Sequence, residues 1–150
     1  MATIRELIVQ KALERVNTGL PGGVPATERA RTFAMTPDQL IKSTVYPLRE
    51  ETRPRGGGVG KDPTVQTGLI LAFELRAKGD GVSAPDVLLD PTINWIVKQL
   101  ALSQEAGLWA TIDYLDTDFQ WAQAEYALCI ATVKFRVSSQ MKTNDPSALS

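Results

Sequence analysis

Two stretches of this chain alternate with a period of two, and they limit its fold more than any other feature. Over Val65 to Arg76, the residues Val65, Thr67, Leu69, Leu71, Phe73 and Leu75 share one face. Gln66, Gly68, Ile70, Ala72, Glu74 and Arg76 share the other. Over Tyr126 to Val137, an apolar face of Ala127, Cys129, Ala131, Val133, Phe135 and Val137 backs a face that shifts from apolar to charged at Lys134 and Arg136. Each pattern predicts a half-buried strand with one face against a core. Two further strands are expected at Leu40 to Glu50 and at Trp109 to Leu115. In the first, Pro47 removes a ladder donor, which favours an edge position or a bulge. After the second, Asp116-Thr117-Asp118 reads as the start of a turn.

Two segments carry the helical period instead. From Thr3 to Val16, Ile4, Leu7, Ile8, Ala12 and Val16 lie on one arc, widened by Val9 and Leu13. Thr3 and Glu6 have the spacing of a capping box, and Asn17-Thr18-Gly19 stops the helix with a glycine able to take positive φ. The second helix is expected to open at Asp90-Pro91, with Asp at the N-cap and Pro at the first helical position. Ile93, Ile96, Val97 and Leu100 then recur at helical spacing, and the helix ends before Gly107.

Helix, strands, helix, strands, with strands adjacent in sequence, predicts an α+β fold. It is an antiparallel or mixed sheet with two helices packed on one face. Phe73, Leu71, Ile96, Leu100, Val133 and Phe135 are the expected core. Two long connections interrupt the pattern. Leu20 to Asp38 is broken by prolines and glycines, with Phe33 and Met35 spaced for a short strand, and Thr52 to Pro63 is rich in glycine. The chain of 150 residues reads as a single domain over 1–137, followed by a polar tail or arm over 138–150.

The composition removes several kinds of chemistry. The chain has no histidine, so Ser-His-Asp and Cys-His catalysis, histidine metal sites and histidine pH switches are excluded. Its one cysteine, Cys129, cannot form an internal disulfide and is expected to be buried and inert. Lys and Arg number 16 against 17 Asp and Glu, so no global attraction to nucleic acid or to an anionic membrane follows. No apolar run is long enough to span a bilayer, and the N-terminus lacks the pattern of a secretory signal; a cytoplasmic setting is expected.

The remaining motifs do not add up to an active site. Gly56-Gly57-Gly58-Val59-Gly60-Lys61-Asp62 superficially suggests a phosphate loop. It places Arg55 where the first glycine belongs and Asp62 where a Ser or Thr must hold magnesium. Asp113, Asp116, Asp118 and Glu125 lack the spacing of a calcium loop and read as solvated carboxylates. No metal, no cofactor and no enzymatic activity are expected. Trp95, Trp109 and Trp121 read as core or interface anchors, with Trp121 an exposed contact near a turn.

The second half of the chain resembles a known family. Leu89-Asp90-Pro91 opens a helix running to Leu102, Gly107 leads into a strand, and Thr117-Asp118-Phe119-Gln120-Trp121 follows. Ala124-Glu125-Tyr126 then begins a long last strand ending Lys134-Phe135-Arg136-Val137. Leu40-Ile41 and Val45-Tyr46-Pro47 to Glu51 provide an upstream counterpart. This rhythm is similar to the tail-terminator, or tail-completion, minor tail proteins of long-tailed bacteriophages. The resemblance implies a structural virion component assembled in the host cytoplasm. It implies a homo-hexameric ring at the head-proximal end of the tail tube, which stops tube polymerisation and meets the head–tail connector of the neck. Its implied partners are further copies of itself, the tail tube protein and the connector, with a tail sheath contact left open and no membrane or sequence-specific nucleic acid.

A ring suits a small chain with extended loops, because heterologous contacts between identical subunits close when the rotation permits. The segment from Arg53 to Lys61 concentrates positive charge. Arg53, Arg55, Lys61 and Trp121 are therefore the candidate assembly contacts. The alternative reading is a small dimeric ligand-binding or regulatory α+β domain, which differs in stopping at two subunits.

Overall fold

A computed structural model describes residues 3–29, 40–55, 64–79, 82–123, 127–142 and 145–149. Helix α1 (Ile4–Asn17) leads to a short strand β1 (Thr27–Arg29), then to two long strands, β2 (Ile41–Arg55) and β3 (Thr64–Lys78). Helix α2 (Pro85–Leu100), β4 (Thr111–Gln123), β5 (Ala127–Lys142) and β6 (Asp145–Leu149) complete the chain. The strands form one mixed sheet in the order β1-β2-β3-β5-β4, with β6 pairing to β5. Among the described residues, only the β1–β2 pair is parallel. The α+β class expected from the period-two pattern is the class observed.

The two alternating stretches are the centre of the sheet. β3 and β5 pair without interruption from Thr64↔Lys142 to Lys78↔Leu128. Antiparallel partners point to the same side. Leu69, Leu71, Phe73, Leu75 and Ala77 therefore share a face with Val137, Phe135, Val133, Ala131 and Cys129, and all ten are buried. Both helices contribute to that core: Ile4, Ile8, Val9, Ala12 and Val16 from α1, and Leu89, Ile96 and Leu100 from α2. All six expected core residues lie there. On the helix-free face Ile70 and Ala72 are buried too. Their register partners are Arg136 and Arg49 for Ile70, and Lys134 and Tyr46 for Ala72. Long side chains of this kind lay apolar stems over a sheet while keeping their heads in water.

The expected caps of α1 are present. Thr3 is the N-cap, and its hydroxyl accepts from the Glu6 N–H at 3.2 Å. Gly19 has φ 73°, the left-handed turn that ends the helix. The Glu6 carboxylate does not complete a reciprocal box. It takes both arms of the Arg29 guanidinium, at 2.8 and 3.0 Å, and so ties α1 to β1. Asn17 adds a second tie, donating to the Thr27 carbonyl and accepting from the Thr27 N–H, each at 2.8 Å.

The Arg29 hydrogen bonds hold the Glu6 carboxyl below its ordinary value, outweighing a small opposing effect of burial. A depressed carboxylate stabilises the fold above its unfolded pKa, and that contribution is lost as pH falls through the folded value. The window is thus the acid limb below about pH 4.3. Glu6→Gln is expected to cost at most about 1 kcal/mol at neutral pH, as for exposed ion pairs, and less at pH 3, where the wild-type carboxylate is losing its charge. Urea denaturation at neutral pH and at pH 3 checks this. Equal losses at both pH values would disprove the assignment.

Several element ends differ from the sequence reading. α2 begins at Pro85, not at Asp90-Pro91. Pro85 takes the first helical position, and Pro91 lies inside the helix. The earlier start buries Leu89 and continues the spacing Leu89, Thr92, Ile96, Leu100. Pro91 lacks the N–H that would reach the Val87 carbonyl, and the helix tolerates that loss.

Asp116-Thr117-Asp118 is not a turn. β4 carries a bulge between Tyr114 and Asp116 and runs on to Gln123. The expected loop over Thr52 to Pro63 is strand as far as Arg55, because Arg55 and Thr64 close a long β2–β3 ladder. The Phe33–Met35 segment lies outside the described residues. In the expected tail, Ser138–Lys142 continue β5 against Thr64–Gly68, and Asp145–Leu149 form β6. Pro47 does sit beside a register shift, between Pro47 and Arg49. β1 covers β2 only from Ser43 to Val45, so Pro47 stands past the end of β1.

Candidate assembly surface

The residues singled out by sequence are not brought together. Arg53 and Arg55 end β2, opposite Gln66 and Thr64. Lys61 lies outside the described residues. Trp121 is in β4, on the far side of the sheet order, opposite Cys129. It stands on a strand, two residues before the end of β4, and it is 58% exposed.

β4 builds a surface that sequence reading assigned only in part. Ile112, Tyr114, Thr117, Phe119 and Trp121 stand opposite Val137, Phe135, Val133, Ala131 and Cys129. They therefore belong to the helix-covered face of the sheet. The cover ends partway across this strand. Ile112 is buried, whereas Tyr114 is 43% and Phe119 47% exposed. Tyr114 leans on the Phe135 ring with centroids 5.7 Å apart, and its hydroxyl shares a hydrogen bond with Thr117. Among the described residues, no strand pairs with the outer edge of β4. An open edge with a row of half-exposed aromatic rings is the kind of surface that soluble proteins keep for a partner. Phe119 and Trp121 keep the period of two, but Tyr114 is out of step with them by one residue, and only the bulge between Tyr114 and Asp116 returns all three to one face.

The helix-free side of the same edge is acidic. Asp113, Asp116 and Asp118 stand opposite Arg136, Lys134 and Thr132. One cation serves two of these carboxylates: Lys134 Nζ lies 2.8 Å from Asp118 Oδ2 and 3.8 Å from Asp116 Oδ1. The hydrogen bond to Asp118 raises the Lys134 pKa, with a further electrostatic contribution from Asp116.

The β2 edge shows the reverse balance. There one carboxylate serves two cations, with Glu51 3.3 Å from both Arg49 and Arg136. The Arg136 side chain passes over Gly68 toward Glu51; a Cβ at position 68 would stand 3.4 Å from it, in ordinary van der Waals contact. Glu50, the other acid of this stretch, is held by Arg5 of α1.

Cys129 is buried under α2, and burial followed by the nearby Asp86 carboxylate pushes its thiol pKa up. A thiol held in its neutral form is a poor nucleophile. Among the described residues, no three Asp, Glu or Cys groups are placed to hold a metal ion. No described helix is long and apolar enough to cross a membrane.

No family model matches the chain. No curated protein matches it. Among solved structures, it is similar to a chain of the virion of a native gene transfer agent (GTA) particle. The fold recurs in that particle. The two superpose with a TM-score of 0.58 at 9% identity, over 89% of this chain and 95% of that one. The agreement thus takes in nearly all of both chains and concerns backbone architecture, not shared side chains.

Proposed function

We propose that this chain is a structural component of a phage-like virion and acts as its tail terminator. In this reading it forms a six-subunit ring on the head-proximal end of the tail tube. The ring stops tube growth and presents a surface to the head–tail connector. The observation that supports it most is the likeness to a GTA virion chain along 95% of that chain's length. The resemblance of the sequence to tail-completion proteins points the same way. The exposed aromatic edge of β4 supplies what an assembly subunit needs. The role is non-catalytic and uses no cofactor. Arg53, Arg55, Lys61 and Trp121 are its proposed contacts with neighbouring copies or with the tube.

The test is deletion of the gene from the particle genome, followed by electron microscopy of lysates. Tubes of irregular and excessive length, together with heads lacking tails, are expected. Supplying the gene in trans should restore uniform tails. Tails of normal length attached to heads in the deletion would overturn the terminator role.

A further inference from the structure

The two edges of the sheet differ in charge balance, and this suggests how one copy meets the next. β4 contains three aspartates and no basic residue, with Lys134 divided between two of them. The part of β2 beyond Val45 contains Arg49, Arg53 and Arg55; of its two acids, Glu50 is held by Arg5 and Glu51 is shared between Arg49 and Arg136. Among the described residues, β3 is the only strand paired with that part of β2.

We propose that the open β4 edge of one copy docks head to tail on the Pro47–Arg55 edge of β2 in a second copy. This rests on the ring reading and names the surfaces that would close the ring. Strand direction permits it. β2, β3, β5 and β4 alternate in direction, so a rotation that carries one sheet beside the next sets β4 antiparallel to the following β2.

Charge selects this arrangement over a two-fold one. Pairing β4 with its own copy would set Asp113, Asp116 and Asp118 against the same carboxylates, and like charges across strands repel. Docked on β2, they meet its arginines. Pro47 and Pro54 lack the N–H groups that a full ladder across the junction would need. The contact is therefore made mainly by side chains. Phe119 and Trp121 are its anchors, and the half-exposed Leu48 at the β2 bulge lies on the receiving edge.

The test uses purified full-length protein, with assembly followed by native mass spectrometry and sedimentation over a concentration series. One variant removes the anchors, Phe119→Ser with Trp121→Ser. A second reverses the receiving edge, Arg49→Glu with Arg53→Glu. Each is expected to melt near the wild type and to self-associate at least about tenfold more weakly, as for lost aromatic or charged anchors. Mixed together, they retain one intact β4 edge and one intact β2 edge. The mixture should then give a one-to-one heterodimer and no larger species.

If the second variant still forms a homodimer as tightly as the wild type, or the mixture stays monomeric while the wild type associates, the head-to-tail junction is overturned. Rings forming normally in both variants would overturn these edges while leaving the ring reading intact. A wild type that stops at a dimer, with the mixture still pairing, would support the junction and count against the ring. A wild type that remains monomeric at every concentration would overturn the junction.

Discussion

Replacing Ile96 by Asp is expected to leave most molecules unfolded at room temperature. Ile96 is buried in the face that α2 turns toward β3 and β5, in one cluster with Phe73, Leu100, Val133 and Phe135. The loss has two parts. Burying an isoleucine side chain stabilises a fold by about 1.5–3 kcal/mol. A carboxylate in its place either remains charged without a partner or takes up a proton, and either course adds several kcal/mol. The sum rivals the ~5–15 kcal/mol that stabilises a whole domain. Ile96→Val, which leaves only a methyl-sized gap, should cost about 1 kcal/mol. Urea unfolding followed by circular dichroism separates the two. An Asp variant that melts with the wild type would show that the buried face of α2 is not the one that Leu89, Ile96 and Leu100 define.

The same helix shows where local sequence signals reach their limit. The core face of α2 was legible because Ile93, Ile96, Val97 and Leu100 keep the helical period. Its start was not. Asp90-Pro91 has the chemistry of a helix opening, and Ala84-Pro85-Asp86 offers a weaker version one and a half turns earlier. Burial of Leu89 decides in favour of the earlier start, and that term is tertiary.

β4 repeats the conflict in a strand. Asp116 and Asp118 are turn formers by local preference, yet Lys134 on β5 is shared between them, and a bulge at Leu115 restores the alternation. The end of β5 is the converse case. Ser138 onward has little apolar alternation to mark a strand, and backbone pairing with Thr64–Gly68 extends it. For the assembly surface, the arginines of β2 were visible as a charge cluster. The aspartates of β4 were visible too, but only as solvated turn carboxylates, because the sheet order alone puts the two groups at opposite edges.

Phe135→Ala is the substitution expected to couple stability to the exposed aromatic edge of β4. Phe135 is buried between two rings: Phe73 meets it edge-on and Tyr114 lies tilted against it, each with centroids 5.7 Å away. It thereby links the centre of the core to the first exposed ring of the β4 edge. Truncation should cost about 3–5 kcal/mol, the range for a buried phenylalanine whose cavity cannot collapse. β3 and β5 form an uninterrupted ladder around this position, so the backbone has little freedom to close the gap. Tyr114 is different, because among the described residues its strand is paired on one side only and can relax into the vacated space. Hydrogen exchange on the folded fraction should therefore show β4 amides opening more readily than those of β3, beyond the change in global stability. Phe135→Leu keeps most of the volume and should lose well under half as much, with β4 protected nearly as in the wild type. A stability loss below about 1 kcal/mol for the alanine variant would show that the three rings are not packed as a unit. A large loss with uniform exchange across β3 and β4 would separate the core from the edge, leaving Tyr114 to be held by its bond to Thr117 alone.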